Sequence, residues 1–173
     1  MLVLIIGGSG RGKSEFAENM TVSLGGNCTY IACMKPFGAE ARQRIERHRE
    51  MRGGKGFTTV ERYTDIKNLD ITGTALLECM SNLLANEMFS GSGENAVQEI
   101  LDGVDALMKK CDNIVIVTNE VSSDGITHDG ETEKYKKNLG ALNCFLALKA
   151  DEVYEVACGI ARRLKKEDKS CIY

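Results

Sequence analysis

Short apolar runs alternate along the chain with longer segments whose apolar positions recur every three or four residues. The runs at 2–6, 28–33, 57–61, 75–79, 114–118 and 153–158 are mostly continuous. Strands covered by helices on both faces read that way. The periodic segments predict helices at 13–24, 39–52, 81–89, 96–110 and 131–149. In the first, Phe16, Met20 and Leu24 stand four residues apart and are expected to face the sheet. Gly25-Gly26 stops that helix, and Gly53-Gly54 stops the second. Strand and helix in alternation predict an α/β fold with a mainly parallel sheet and helices on both of its faces. The expected organisation is one domain over 1–164 and a polar, fraying tail at 165–173.

Composition narrows this picture slightly. A length of 173 residues suits one core. A formal net charge of −3 gives no basic excess of the kind nucleic-acid binding needs, so anionic ligands must be met by local positive groups. The apolar run at 1–6 is too short for a secretory leader core or a membrane helix. No membrane insertion and a cytoplasmic location are expected. The seven cysteines, Cys28, Cys33, Cys79, Cys111, Cys144, Cys158 and Cys171, include no C-x-x-C pair. They read as reduced thiols, mostly small buried hydrophobes, and not as a zinc site.

The strongest chemical signal is Gly7-Gly8-Ser9-Gly10-Arg11-Gly12-Lys13-Ser14, a full G-x-x-x-x-G-K-[ST] pattern. It follows an apolar strand and opens an amphipathic helix, as a phosphate-binding loop must. Glycines allow positive φ and bring successive N–H groups around a phosphate. The helix N-terminus adds partial positive charge. Lys13 is expected on the β- and γ-phosphates, and Ser14 on Mg²⁺. A carboxylate at the end of a neighbouring strand should support that ion. Glu78, closing the run at 75–79, is favoured over Glu120.

One helix is rich in arginine: Glu40-Ala41-Arg42-Gln43-Arg44-Ile45-Glu46-Arg47-His48-Arg49-Glu50-Met51-Arg52. Ala41, Ile45, His48 and Arg52 share a face at helical spacing. The arginine fork suits phosphate, and a neutral imidazole is a competent nucleophile toward phosphorus. From the residues alone, a salt-bridged helix with an incidental histidine is the plainer reading. His128 lies in a polar stretch and reads as a loop residue.

Taken together, these stretches resemble the bifunctional adenosylcobinamide kinase / adenosylcobinamide-phosphate guanylyltransferase family of cobalamin biosynthesis. The resemblance runs from residue 1 to about 165. It rests on the loop at 7–14, Tyr30-Ile31-Ala32, Arg44-Ile45-x-x-His48-Arg49-x-x-Arg52, Thr59-x-Glu61 and Leu76-Leu77-Glu78-Cys79. Val117-Thr118-Asn119-Glu120-Val121, Ala150-Asp151-Glu152-Val153 and Gly159-Ile160 complete it.

The resemblance implies a RecA-like P-loop fold and a homotrimer. It implies phosphorylation of adenosylcobinamide by a nucleoside triphosphate, ATP or GTP. Transfer of GMP from GTP to adenosylcobinamide phosphate, through a covalent GMP-histidine, would follow. His48 matches the guanylylated position, with Lys13 as the other catalytic residue. The implied nucleotide contacts are the loop at 7–14, Cys33, Met34, Lys35, Arg49, Glu50, Met51, Arg52, Glu61 and Glu78, with Ser14 and Glu78 at Mg²⁺. The partners implied are a corrinoid and nucleotides. The chain departs from the family pattern at 122–130, at Ala141 where an arginine is usual, and at Phe57 where a tryptophan is usual. Two other functions remain open at this level: a P-loop kinase of another small molecule with a structural His48, and a nucleotide-dependent regulatory protein.

Overall fold

A computed structural model describes residues 1–120 and 130–166. Its sheet has seven strands: β1 Leu2–Ile6, β2 Cys28–Ala32, β3 Thr58–Glu61, β4 Thr74–Glu78, β5 Asn113–Val117, β6 Glu152–Ala157 and β7 Ile160–Lys166. Their order across the sheet is β3-β2-β4-β5-β1-β6-β7. All pairs are parallel except β6 with β7, which is antiparallel. Five α-helices connect them: α1 Lys13–Leu24, α2 Gly38–Arg52, α3 Met80–Ser90, α4 Ala96–Lys110 and α5 Gly130–Lys149. None of the described helices is long and apolar enough to cross a membrane.

Alternate side chains of each central strand enter opposite layers, as the pleat requires. Val3, Ile5, Tyr30, Leu76, Val115 and Val117 pack with Ala17 of α1. Phe16, Met20 and Leu24 join this layer at its margin, as their spacing predicts. Leu2, Leu4, Ile31, Leu77, Ile114 and Ile116 face the other way, against α3, α4 and α5. Each fully buried aliphatic side chain here contributes about 1.5–3 kcal/mol relative to exposure. Continuous apolar runs in the sequence are the direct consequence of this two-sided burial.

Two features differ from expectation. Strand β7 runs through Lys166, two residues into the stretch read as a fraying tail. Lys165 pairs with Val153, and its Nζ donates to the carbonyls of Ala147 (3.1 Å) and Leu148 (2.8 Å). The strand was illegible because it is a charged edge, Ile-Ala-Arg-Arg-Leu-Lys-Lys, and carries almost no buried side chain. Glu78 also does not close the strand next to β1, since β5 lies between β1 and β4. Cys171, His128 and residues 122–129 of the divergent stretch lie outside the described residues. Of the six described cysteines, all free, Cys33, Cys79 and Cys111 are buried.

Register sets the site. Ile5, Val117, Glu78, Ala32 and Glu61 are successive partners in one row across five strands. Their side chains and the loops that follow therefore meet at one rim, the carboxyl ends of the parallel strands. In open α/β sheets ligands bind there.

Candidate active site

The loop between β1 and α1 is built by its glycines. Gly10 and Gly12 sit at φ +69° and +88°, in the left-handed region where a side chain is strained. A Cβ on Gly12 would also come within 3.1 Å of Gly159 Cα. The turn between β6 and β7 lies against the loop there, and the Gly159 N–H donates to the Arg11 carbonyl at 3.0 Å. On the other flank the Glu120 N–H donates to the Gly7 carbonyl at 3.2 Å.

Lys13 opens α1 and is only 6% exposed. Its ammonium donates to the carbonyls of Gly7 (2.9 Å) and Gly8 (2.6 Å). Burial pushes its pKa below the ordinary lysine value, while Glu78 works in the opposite direction and Arg44 and Arg11 reinforce the drop. Ser14, one residue on, donates its hydroxyl to Glu78 Oε1. The other oxygen of Glu78 accepts from Tyr30 Oη at 3.2 Å. Burial, and then the Glu78 carboxylate, hold the Tyr30 phenol well above its ordinary pKa.

Helix α2 crosses this rim. Its least exposed positions include Ala41, Ile45, His48 and Arg52, the face expected from spacing. His48 Nδ1 stands 3.5 Å from Glu78 Oε1, within ion-pair distance but without a hydrogen bond to it. Arg52 is buried, with its guanidinium carbon 3.4 Å from the centroid of the Tyr30 ring. Such a stacked cation, out of water, contributes about 2 kcal/mol. Phe57, in the place of the family tryptophan, meets Tyr30 edge-on at 6.5 Å.

A cleft of about 490 Å³ opens between these parts. Loop residues 9–14 line it, with Arg44, Arg47, His48 and Met51 of α2, and with Glu78, Cys79 and Asn119 from the strand ends. A smaller cavity of about 40 Å³ adjoins it at His48 and Glu78, lined also by Met34, Arg49, Arg52 and Glu61. Arg49 donates to Glu61 at 3.3 Å. The structure thus brings together Ser9, Gly10, Arg11, Gly12, Lys13, Ser14, Met34, His48, Arg49, Met51, Arg52, Glu61 and Glu78. Gly7, Gly8, Cys33, Lys35 and Glu50 line neither cavity. Cys33 is wholly buried, its thiol pKa pushed up by burial. Glu120 is exposed, and Ala141 is exposed on α5.

Several cleft residues had no sequence reading as site residues. Arg44 follows from the helical period that places His48, four residues on, whereas Arg47, its immediate neighbour, is not placed by that spacing. Asn119 is held by Ser81, which accepts from its Nδ2 at 2.7 Å, and by Asn143, which donates to its carbonyl at 3.1 Å. Glu18, which lines neither cavity, is 0% exposed and bound to Lys55 at 2.6 Å. Its only signal in the sequence was its place one turn after Ser14 on α1.

A glycine-shaped loop on a buried strand, a lysine at the following helix N-terminus and a carboxylate across the rim define a P-loop nucleotide-binding protein. The particular kind follows from comparison. The family model for cobinamide kinase / cobinamide phosphate guanyltransferase matches residues 3–164, and the chain belongs to that family of bifunctional enzymes. It is 30% identical over 183 aligned positions to the bifunctional adenosylcobalamin biosynthesis protein CobU of Escherichia coli (strain K12), covering 95% of this chain and 100% of that one. The protein of the same description from Salmonella typhimurium is 28% identical over the same shares. The bifunctional adenosylcobalamin biosynthesis protein CobP of Pseudomonas aeruginosa is 27% identical over 95% of this chain and 97% of its own.

Proposed function

We propose that the chain phosphorylates adenosylcobinamide with a nucleoside triphosphate and then transfers GMP from GTP, through His48, to adenosylcobinamide phosphate. One observation carries this reading: a single cleft is lined both by the phosphate loop and by the imidazole of His48. A structural histidine within a salt-bridged helix would have no reason to line that space.

In the first activity the aminopropanol hydroxyl of the corrinoid attacks the γ-phosphorus, its P–O bond forming as the bond to the nucleoside diphosphate breaks. Backbone amides of residues 8–14 and the Lys13 ammonium hold the charge that develops. In the second, a ring nitrogen of His48 forms a P–N bond to the α-phosphorus of GTP while the P–O bond to pyrophosphate breaks. Nδ1 is buried, so Nε2 is the attacking atom. The phosphate of the corrinoid then forms its own bond to that phosphorus and releases the imidazole. Two displacements replace one difficult step. Arg44 and Arg47, on the same helix as His48, suit the phosphate oxygens.

The Ser14 hydroxyl and the Glu78 carboxylate meet beside Lys13, an all-oxygen pair of the kind a hard divalent cation takes. These residues would hold Mg²⁺, in part through water. When bound, the ion supplies charge neutralisation of the triphosphate. The cytoplasm as location and a homotrimer as assembly belong to the same proposal, and light scattering on the purified protein tests the latter.

The decisive experiment is incubation with GTP labelled at the α-phosphate. Wild-type protein acquires label that is lost in acid and kept in base, as a phosphoramidate requires. The His48→Ala variant acquires none but keeps its GTP-induced thermal shift. Equal labelling of the two proteins, or none in the wild type, overturns the assignment.

A further inference from the structure

Asn119 is a fixed polar residue of the cleft to which neither activity has yet given a task. It stands two residues past Val117, the β5 member of the row that runs from Ile5 to Glu78. Its strand lies between β1, which leads into the phosphate loop, and β4, which ends in Glu78. The residues on either side strap it to the root of the loop. The Thr118 N–H donates to the Ile5 carbonyl at 2.9 Å, and the Glu120 N–H to the Gly7 carbonyl at 3.2 Å.

The side chain is held as firmly. Its Nδ2 donates to Ser81 Oγ at 2.7 Å and to Cys79 Sγ at 3.3 Å. The Asn119 carbonyl accepts from Asn143, which is fixed in turn by the Thr118 hydroxyl at 2.7 Å. Thr118, Asn143, Ser81 and Cys79 are all buried. Among the described residues nothing donates to Asn119 Oδ1. The amide therefore offers the cleft an oxygen that is in place and unengaged.

An acceptor at this position has a narrow choice of partners. Phosphate oxygens are acceptors themselves and repel it. The ring nitrogen of His48 brings a lone pair to phosphorus and no proton, so GMP capture has no use for it. The group that does bring a donor is the hydroxyl of the corrinoid in phosphoryl transfer. The carboxylates of the cleft suit that hydroxyl less well. Glu78 has both oxygens engaged, by Ser14 and by Tyr30. Glu15 and Glu40 are exposed side chains on α1 and α2.

We propose that Asn119 is a catalytic residue of the kinase step alone. Its Oδ1 accepts a hydrogen bond from the attacking hydroxyl and aims a lone pair of that oxygen at the γ-phosphorus. The P–O bond to the corrinoid forms as the bond to the nucleoside diphosphate breaks. An amide oxygen is no base at neutral pH, so the proton passes to an oxygen of the transferred phosphoryl group and then to solvent. Phosphoryl transfer asks for positioning more than for a base. The inference rests on the proposed function, and it separates two activities that share one cleft.

The test compares two rates of the full chain: phosphorylation of adenosylcobinamide by ATP, and initial GMP labelling from α-labelled GTP. Asn119→Ala should lower the kinase kcat by about 100-fold, as loss of alignment does. Its KM for ATP and its labelling rate should stay within about twofold of wild type. Asn119→Asp keeps an acceptor, to which the Ser81 hydroxyl can donate in turn. It should retain about tenfold more kinase activity than Asn119→Ala. Ser81→Ala releases the amide, and should lower the kinase rate while sparing the labelling.

Equal losses in both rates overturn the inference and make Asn119 a brace for the phosphate loop. A kinase loss repaired by saturating Mg²⁺ overturns it in favour of a water on the ion. An Asn119→Asp protein no better than Asn119→Ala overturns it too, since the amide would then face phosphate with its nitrogen. Unchanged kinase activity in Asn119→Ala does the same. If that variant shows no GTP-induced thermal shift and so is not folded, Ser81→Ala decides: kinase loss with labelling spared supports the inference, and any other pattern sinks it. Wild-type protein that takes GMP label but leaves the corrinoid unphosphorylated refutes the kinase half of the proposed function, and the inference with it.

Discussion

The Ser14 hydroxyl is hydrogen-bonded to Glu78 although a whole strand, β5, separates β1, which leads into Ser14, from β4, which ends in Glu78. The register makes this possible. Glu78 is level with Val117 of β5, which is level with Ile5 of β1, so the rim of three strands is short enough for one side chain to span.

That pairing predicts the metal dependence. Replacing Glu78 by Gln keeps the shape and removes the charge. The Mg²⁺ concentration for half-maximal rate should rise by about tenfold or more in both activities, measured by titrating Mg²⁺ at fixed GTP or ATP. Chelation of Mg²⁺ should stop both reactions in the wild type. An unchanged Mg²⁺ curve in the variant removes Glu78 from the metal's surroundings.

Lys13 predicts a split between stability and binding. Its ammonium is desolvated and donates to two loop carbonyls. Lys13→Met should leave the ligand-free protein folded, since the side chain is buried and the charge costly there. It should abolish the thermal shift produced by GTP and lower both rates by about 100- to 1000-fold. Differential scanning fluorimetry with and without nucleotide, beside the two transfer assays, gives the result.

Tyr30 predicts an alkaline effect. Its folded pKa is raised, by burial first and by Glu78 second, so the native state keeps the phenol proton that the unfolded chain loses. The sign follows: this stability is fully present below the unfolded value, about pH 10, and is lost as pH rises beyond it. One proton corresponds to a slope of about 1.4 kcal/mol per pH unit. In urea melts above that pH, Tyr30→Phe should lose stability less steeply than wild type by up to that slope. Parallel curves would place the titration elsewhere.

Gly103 predicts a packing limit. It lies in α4, where alanine is normally about 1 kcal/mol better than glycine. Here a Cβ would strike the buried side chain of Ile66 and come within 3.3 Å of the Lys67 nitrogen. Ile66 is 1% exposed and cannot withdraw. Overpacking, at about 1–3 kcal/mol, outweighs the propensity gain. Gly103→Ala should therefore lose up to about 2 kcal/mol in urea denaturation, with little change in either activity.

The central strands were legible because both their faces are buried, leaving runs such as Leu2–Ile6 with no polar interruption. Helix α1 was legible because its start is marked by the loop and its end by Gly25-Gly26. The loop at 7–14 announces its own chemistry. His48 does not, since a histidine among arginines reads equally as solvated surface until the cleft is seen. Strand β7 escaped because an edge needs no apolar alternation. Glu18 escaped for a different reason: burial of a charge depends on Lys55, which lies on a different segment, beyond the end of α2, and no local pattern encodes that meeting.

The turn of the β6–β7 hairpin gives a last consequence. Gly159 donates to Arg11, and its Cα sits against Gly12. The final hairpin thus props the opening loop from beneath, joining opposite ends of the polypeptide at the catalytic mouth. Trimming the chain back to Ala150 would not simply shorten an ornamental edge. It would withdraw the support on which the phosphate cradle rests, and with it the enzyme's grip on nucleotide.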